Sequence, residues 1–403
     1  MKNKVVKPLV IICLVFLLVI STNVSFDKIY SLPNDFIVSY EEIKEVNVNK
    51  KFGSLVTTNI EKSIQNVSNE KDIDGIIVFK LFGFIPIRKV NVKLAPEEDV
   101  YVGGVPVGLS ITGSGAIIVE EKEVDCLEGE RFTEKTERLK KGDIIYEVNG
   151  LKINCLEDIK EVVEDSKSDI FEIKFKRKNR DMKSIVKGEY DKNNNLKLGL
   201  LVKDDISGVG TLTYVNTKTN KFGALGHAIT DEENIVEVSN GKLYNCSLLD
   251  IQKGQRNNPG QLKCVFMQSG GFKGEIEKNN KYGVFGSIKE KSEIIDENLT
   301  LKIGGRLSVT PGKAKIISSV SGIREEYEIE IIKANYQSTA DDKSIVFRVT
   351  DERLLKLTGG IVQGMSGSPI IQNKKIIGAV THVFISDPTK GYGVYSDWML
   401  MND

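Results

Sequence analysis

The chain has 403 residues, 40% of them apolar, with 36 glycines and one tryptophan, and that length gives room for two or three domains with full cores. Its 56 basic and 56 acidic residues cancel. No basic excess is left to displace counterions from a phosphate backbone, so nucleic-acid binding is excluded as a class.

Lys2, Lys4 and Lys7 precede Leu9 to Ile20, 12 unbroken apolar residues, and polar Ser21, Thr22 and Asn23 follow. This is the basic head and apolar centre of an export signal. The run is short of the roughly 20 residues that span a bilayer, although Val24 and Phe26 extend it. It lacks a clean small-x-small cleavage site, which favours a retained membrane anchor over residues 1–26 and an exported remainder. Cys13 lies inside the run and is no lipidation site. Cys126, Cys155, Cys246 and Cys264 show no C-x-x-C spacing, and a domain of this size needs no staples, so free thiols are the reading and two disulfides the alternative.

Residues 31–96 read as a small β-rich region, with strands expected at Val46 to Val48, Ser54 to Thr58, Gly75 to Phe79 and Arg88 to Leu94. Over residues 100–188 the pattern changes. Leu139-Lys140-Lys141-Gly142-Asp143-Ile144-Ile145-Tyr146-Glu147-Val148-Asn149-Gly150 gives a turn, a strand and an Asn-Gly hairpin signal. Leu156, Ile159, Val162 and Val163 form one helical face, and a hairpin comes next, Phe171 to Lys176 with Met182 to Lys187. This stretch resembles a PDZ domain. The resemblance implies a peptide added as a strand, its terminus held by the loop at Val107, Gly108 and Leu109. The alternative is an internal packing unit whose groove is unused.

Asp191 to Asn195 superficially suggests a calcium loop, but its sixth position is Leu196 where glycine is needed and its twelfth is Val202 instead of glutamate. It reads as a linker, and no metal or cofactor is expected. From residue 198 to 403, short glycine-punctuated strands have the spacing of a pair of β-barrels: Val209 to Val215, Phe222 to Leu225, Val236 to Val238, Gly283 to Ile288, Gly312 to Val320, Tyr327 to Ala334, Ser344 to Val349 and Ile370 to Val383. The expected fold is mainly β: an N-terminal signal or anchor helix, a small β region, an α+β PDZ domain, and a C-terminal chymotrypsin-like double barrel.

The chemistry is concentrated in Gly364-Met365-Ser366-Gly367-Ser368-Pro369. Small neighbours leave the Ser366 hydroxyl accessible, and the N–H groups of Gly364 and Ser366 are placed to converge on an oxyanion. A serine nucleophile needs a base, and the chain has two histidines. His227 ends a hairpin among small residues and is favoured as that base. His382 lies mid-strand and reads as a cleft-lining or core residue. Asp351 ends a strand 15 residues before Ser366 and is the candidate third group. Asp231, Asp250, Asp341 and Asp342 are rivals, and on spacing alone a helix N-cap role for Asp351 weighs at least as much.

Gly359 to Asn373, with Ile377 to Phe384 and Asp387 to Val394, resembles the stage IV sporulation protein B family of serine peptidases. Phe222 to His227 and Lys80 to Ile87 extend the likeness, as does the order of anchor, PDZ domain and peptidase. The resemblance implies His227, Asp351 and Ser366 as the catalytic set. It also implies a sporulation signalling endopeptidase, exported between the forespore and mother-cell membranes. Such an enzyme cleaves itself and a regulatory partner of a membrane-embedded protease, which then activates a mother-cell sigma factor. Its partners are thus protein substrates, its own chain among them, and the membrane. The rival readings are a quality-control protease, whose PDZ would follow the peptidase, and a non-catalytic envelope scaffold.

Overall fold

Alternating apolar residues make strands only when another strand supplies hydrogen bonds, and here much of that supply comes from far along the sequence. The computed structural model describes residues 2–39, 42, 51–62, 73–95, 97–120, 137–178, 180–231, 234–266, 271–291, 294–335, 337 and 341–402. The expected strand at Val46 to Val48 and the thiol of Cys126 lie outside the described residues. Cys13, Cys155, Cys246 and Cys264 are free thiols.

Helix Lys2–Asn23 leads into a short helix, Phe26–Ser31, and a sheet in the order 35–39, 85–95, 73–81, 56–62. Val24, Ile29, Val38, Phe52, Phe79 and Val90 form its core, and Leu307 of the C-terminal half joins them. Lys51 Nζ donates to the carbonyls of Leu307 and Val309, and Glu42 accepts from the Ser308 N–H at 2.7 Å. These bonds seat the N-terminal sheet on the C-terminal half.

The middle unit matches the sequence reading closely. Helix Leu156–Glu164 buries Ile159 and Val163. Asn149 (φ 51°) and Gly150 (φ 81°) both take the left-handed conformation that a tight hairpin turn requires. Strands Ile170–Arg177 and Arg180–Lys187 pair in register. Asp143 is buried, and the Arg177 guanidinium clamps it with bonds of 2.8 and 2.7 Å.

Among the described residues the remainder closes two six-stranded antiparallel barrels. The second runs 312–318, 325–334, 345–349, 390–395, 375–383, 369–372 and back to 312–318. Its core includes Ile316, Tyr327, Phe347, Ile370, Ala379 and Val394. The first barrel runs from Pro106–Glu120 through 201–216, 221–224, 283–288, 274–280 and 240–245, and closes on 106–120 again.

That closure corrects two expectations. Val107, Gly108 and Leu109 are not a peptide-holding loop: they pair with 208–210 on one edge and 243–245 on the other. Val107, Leu109 and Ile111 alternate into a core with Leu212, Phe222 and Leu243. A strand bonded on both edges has no donors or acceptors left for an added peptide. The segment expected to open the PDZ domain therefore belongs, in its first half, to the first barrel. Its second half pairs Ala116 and Ile117 with Ile145 and Ile144 of the middle unit. Residues 201–203 then pair with 117–120 beside the helix, and Asp204 accepts from the Leu156 N–H at 2.8 Å. Leu198, Leu200 and Val202 fill the adjoining apolar space, so the chain itself occupies the side where a peptide was expected.

Candidate active site

Each barrel contributes one side of a cleft of about 570 Å³. From the first, strand Lys221–Ala224 ends in Leu225 (φ 66°) and Gly226 (φ 72°), two successive left-handed residues. They swing the chain out of the sheet and leave His227 at the cleft. From the second barrel comes the turn 363–368, with Gly364 at φ 96° and Gly367 at φ 98°. A Cβ on Gly367 would lie 2.0 Å from the Thr211 carbonyl oxygen, so only glycine fits that approach.

The first barrel holds this turn in place. Thr211 Oγ1 donates to the Gly364 carbonyl at 2.7 Å, the Thr211 N–H to the Ser366 carbonyl at 2.8 Å, and Thr213 Oγ1 to the Gly367 carbonyl at 2.8 Å. Met365 is buried beneath it. The N–H groups of Gly364 and Ser366 have no hydrogen-bond partner among the described residues. Ser366 is half-buried and lines the cleft, whereas Ser368 is fully buried with its hydroxyl unpaired. Burial removes Ser368 as a nucleophile.

His227 and Ser366 line the same cleft. His227 Nδ1 lies 2.9 Å from the Ala228 carbonyl. A carbonyl only accepts, so Nδ1 carries the proton and the lone pair falls on Nε2, as a general base requires. Burial pushes the His227 pKa below its usual value, and the neighbouring His382 pushes the same way. The Ser366 hydroxyl donates to the Thr381 carbonyl at 2.8 Å.

His382 also lines the cleft, half-exposed, and does not sit in the core. Its ring stacks on His227 with centroids 5.0 Å apart and planes 22° from parallel. Its Nε2 lies 2.7 Å from an oxygen of Asp342. Burial opposes charge on Asp342, but the hydrogen bonds from His382 and from Asp341 outweigh it and hold its pKa at about 2.

Asp351 does not come to this site. It is the N-cap of helix Glu352–Thr358 and accepts from the N–H groups of Arg353, Leu354 and Glu328. The Arg353 guanidinium takes both carboxylate oxygens, at 3.2 and 3.0 Å. A carboxylate so occupied has no lone pair aimed at an imidazole, and Asp351 does not line the cleft. Asp231 and Asp250 are held by Lys203 and Lys263. Asp342 is thus the acidic member that spacing did not single out. It precedes the strand Ile345–Val349 that runs beside 390–395 and so reaches His382 across the barrel rim.

Cleft walls are apolar, formed by Leu109, Ile206, Val209, Ile229, Ile361 and Ile385, and no carboxylate, lysine or arginine lines the cleft among the described residues. Residues 206–209 pair with 108–111 on one edge only, and Ser207 and Gly208 are exposed. No group of acidic, histidine or cysteine side chains able to hold a metal occurs among the described residues.

Over 85 residues the chain is 41% identical to a Methanocaldococcus jannaschii protein bearing the name uncharacterized protein MJ0971; the match covers 20% of this chain and 21% of that one. The chain thus spans about a fifth of the length of this curated relative. A solved PDZ domain of the SdrC-like protein from Listeria monocytogenes is similar over 23% of this chain and 90% of its own, at 19% identity and a TM-score of 0.19. Residues 194–400, just over half of the chain, match the SpoIVB peptidase S55 family, and the chain belongs to that family of serine peptidases.

Proposed function

We propose that this chain is a sporulation signalling endopeptidase. It is exported into the space between the forespore and mother-cell membranes and held there by its N-terminal segment. It cleaves its own chain and a regulatory subunit of a membrane-embedded protease complex, which triggers intramembrane processing of a mother-cell sigma factor. The family match over residues 194–400 supports a peptidase. The observation that carries the mechanism is the shared cleft of Ser366 and His227, with two unpaired N–H groups beside the serine.

Ser366 turns its hydroxyl from the Thr381 carbonyl toward His227 Nε2 and attacks the substrate carbonyl as the imidazole takes its proton. The N–H groups of Gly364 and Ser366 receive the oxyanion. The His382–Asp342 pair puts a negative charge behind the stacked imidazoles, where it stabilises the imidazolium that forms. The free edge at 206–209 accepts the substrate main chain as an added strand. Uncharged walls select apolar or small side chains next to the scissile bond. The scaffold reading is weaker, because the strand that would have held a peptide terminus is paired on both edges.

Incubating the purified chain, alone and with a regulatory subunit, and reading new N-termini by mass spectrometry tests this. New termini that vanish in Ser366→Ala are expected, with a fluorophosphonate adduct on Ser366. Intact chains and no adduct would sink the catalytic reading. Self-cleavage with an untouched partner would sink the signalling one alone.

A further inference from the structure

The N-terminal unit carries an apolar end that is exposed among the described residues. From Val10 to Val19 the large apolar side chains of helix Lys2–Asn23 are 44–64% exposed. A helix that is apolar all round is stable only inside protein or lipid. No helix among the described residues is long and apolar enough to cross a membrane.

The hairpin tip beside this helix is apolar as well. Phe16 stacks on Phe82 with centroids 5.8 Å apart, and Phe82 on Phe84 at 6.4 Å. Phe84 is 72% exposed and Ile85 44%. Phe82 (φ 55°) and Gly83 (φ 81°) form the turn between strands 73–81 and 85–95. Asparagine would take the first of these left-handed positions with little strain and would be soluble, whereas phenylalanine is strained there and leaves an aromatic cluster in water. Strain and exposure together point to a partner that rewards aromatic rings at this spot.

The flanking residues identify the partner. Arg88 and Lys89 lie three and four residues behind Ile85, roughly 10 Å back along an extended strand. Arg88 sits over the ring of Tyr30, which is 57% exposed, and donates to the Ile29 and Leu32 carbonyls at 2.6 Å, so the outward cation at this depth is Lys89, 63% exposed and 4.0 Å from Glu61. Apolar tip, then tyrosine and an exposed lysine at that depth, is the order in which a bilayer presents its acyl boundary and its anionic headgroups.

We propose that the 81–85 hairpin tip inserts into the interface of an anionic phospholipid bilayer beside the N-terminal helix. The tip then fixes the tilt of the peptidase over the membrane as a second point of attachment. This rests on the membrane-held reading of the N-terminal segment.

The test uses the full chain with Phe84→Trp and vesicles of phosphatidylglycerol and phosphatidylethanolamine, part of them acyl-brominated. The native Trp398 is buried and serves as the unquenched reference. Quenching of the residue-84 fluorescence is expected, with Trp398 unaffected. Vesicle affinity should fall about tenfold in Phe84→Glu/Ile85→Glu, with thermal melting unchanged. Vesicle-bound protein with no quenching at residue 84 would overturn the tip insertion while leaving attachment through the helix. Absence of vesicle binding by the wild-type chain would overturn both.

Discussion

His227 and His382 stack face to face, centroids 5.0 Å apart, with Asp342 bonded to Nε2 of the second ring at 2.7 Å. The carboxylate charge thus reaches the base at one remove. Removing that charge at an effective dielectric near 20 corresponds to roughly 1–3 kcal/mol on a developing imidazolium, so Asp342→Asn is expected to lower kcat about tenfold to hundredfold. KM should change little, because the carboxylate acts on the imidazolium and not on substrate binding. Unaltered kcat in Asp342→Asn would remove the carboxylate from the mechanism.

Ser366→Ala is expected to lower peptidase activity by about four to six orders of magnitude while the chain still folds. Ser368→Ala should behave oppositely. Its hydroxyl is buried without a partner, so removing it relieves an unsatisfied group and leaves activity and melting temperature at or above wild type. Active-site titration with a fluorophosphonate on both variants separates the two serines.

The pH profile derives from His227. Burial lowers its pKa below the ordinary 6.5, and the neutral ring is the working base. The acid limb of kcat/KM should therefore have its midpoint below about 6.5, with full activity at neutral pH. The same depression means that the unfolded chain binds a proton that the native chain resists. His227 thus weakens the fold as pH falls below 6.5 toward its native value. Asp342 contributes in a lower window: its stabilisation is present above 3.8 and lost as pH falls toward about 2. A limb centred above 6.5 would contradict the buried neutral base.

Asp351 separates capping from charge. Asp351→Ala should destabilise the chain by about 1–2 kcal/mol through loss of the N-cap, whereas Asp351→Asn, which still caps, should lose markedly less and stay near wild-type activity. Inactivity of the Asn variant with an unshifted melting curve would return this residue to the catalytic set.

A chain starting at residue 194 retains the family's matched region but lacks strand 106–112, so the first barrel cannot close. It should be inactive and aggregate through the open edges at 206–211 and 240–245. Chains beginning at residue 97 should be soluble and active. Light scattering and peptide cleavage on the two truncations decide this, and a monomeric, active 194–403 fragment would show that the closure is dispensable.

Much of this was legible in the sequence because it is local. A glycine turn around Ser366, the hairpin that ends at His227, the Asn149-Gly150 hairpin and the amphipathic helix at 156–164 each depend on turn preferences or periodicity within a dozen residues. The strands expected at Gly283 to Ile288 and Ser344 to Val349 likewise form, at Gly283–Ile288 and Ile345–Val349. What the tertiary structure decided was which distant partners these pieces meet. Val107 to Leu109 look alike as a loop start or a strand, and only strands from 201–216 and 240–245, roughly 100 and 135 residues on, fix the second outcome. Asp351 and Asp342 are two carboxylates nine residues apart. Which of them faces an imidazole depends on a helix that captures the first and a barrel rim that delivers the second to His382. Sequence spacing records neither, because both arise from packing between segments with no local constraint on one another.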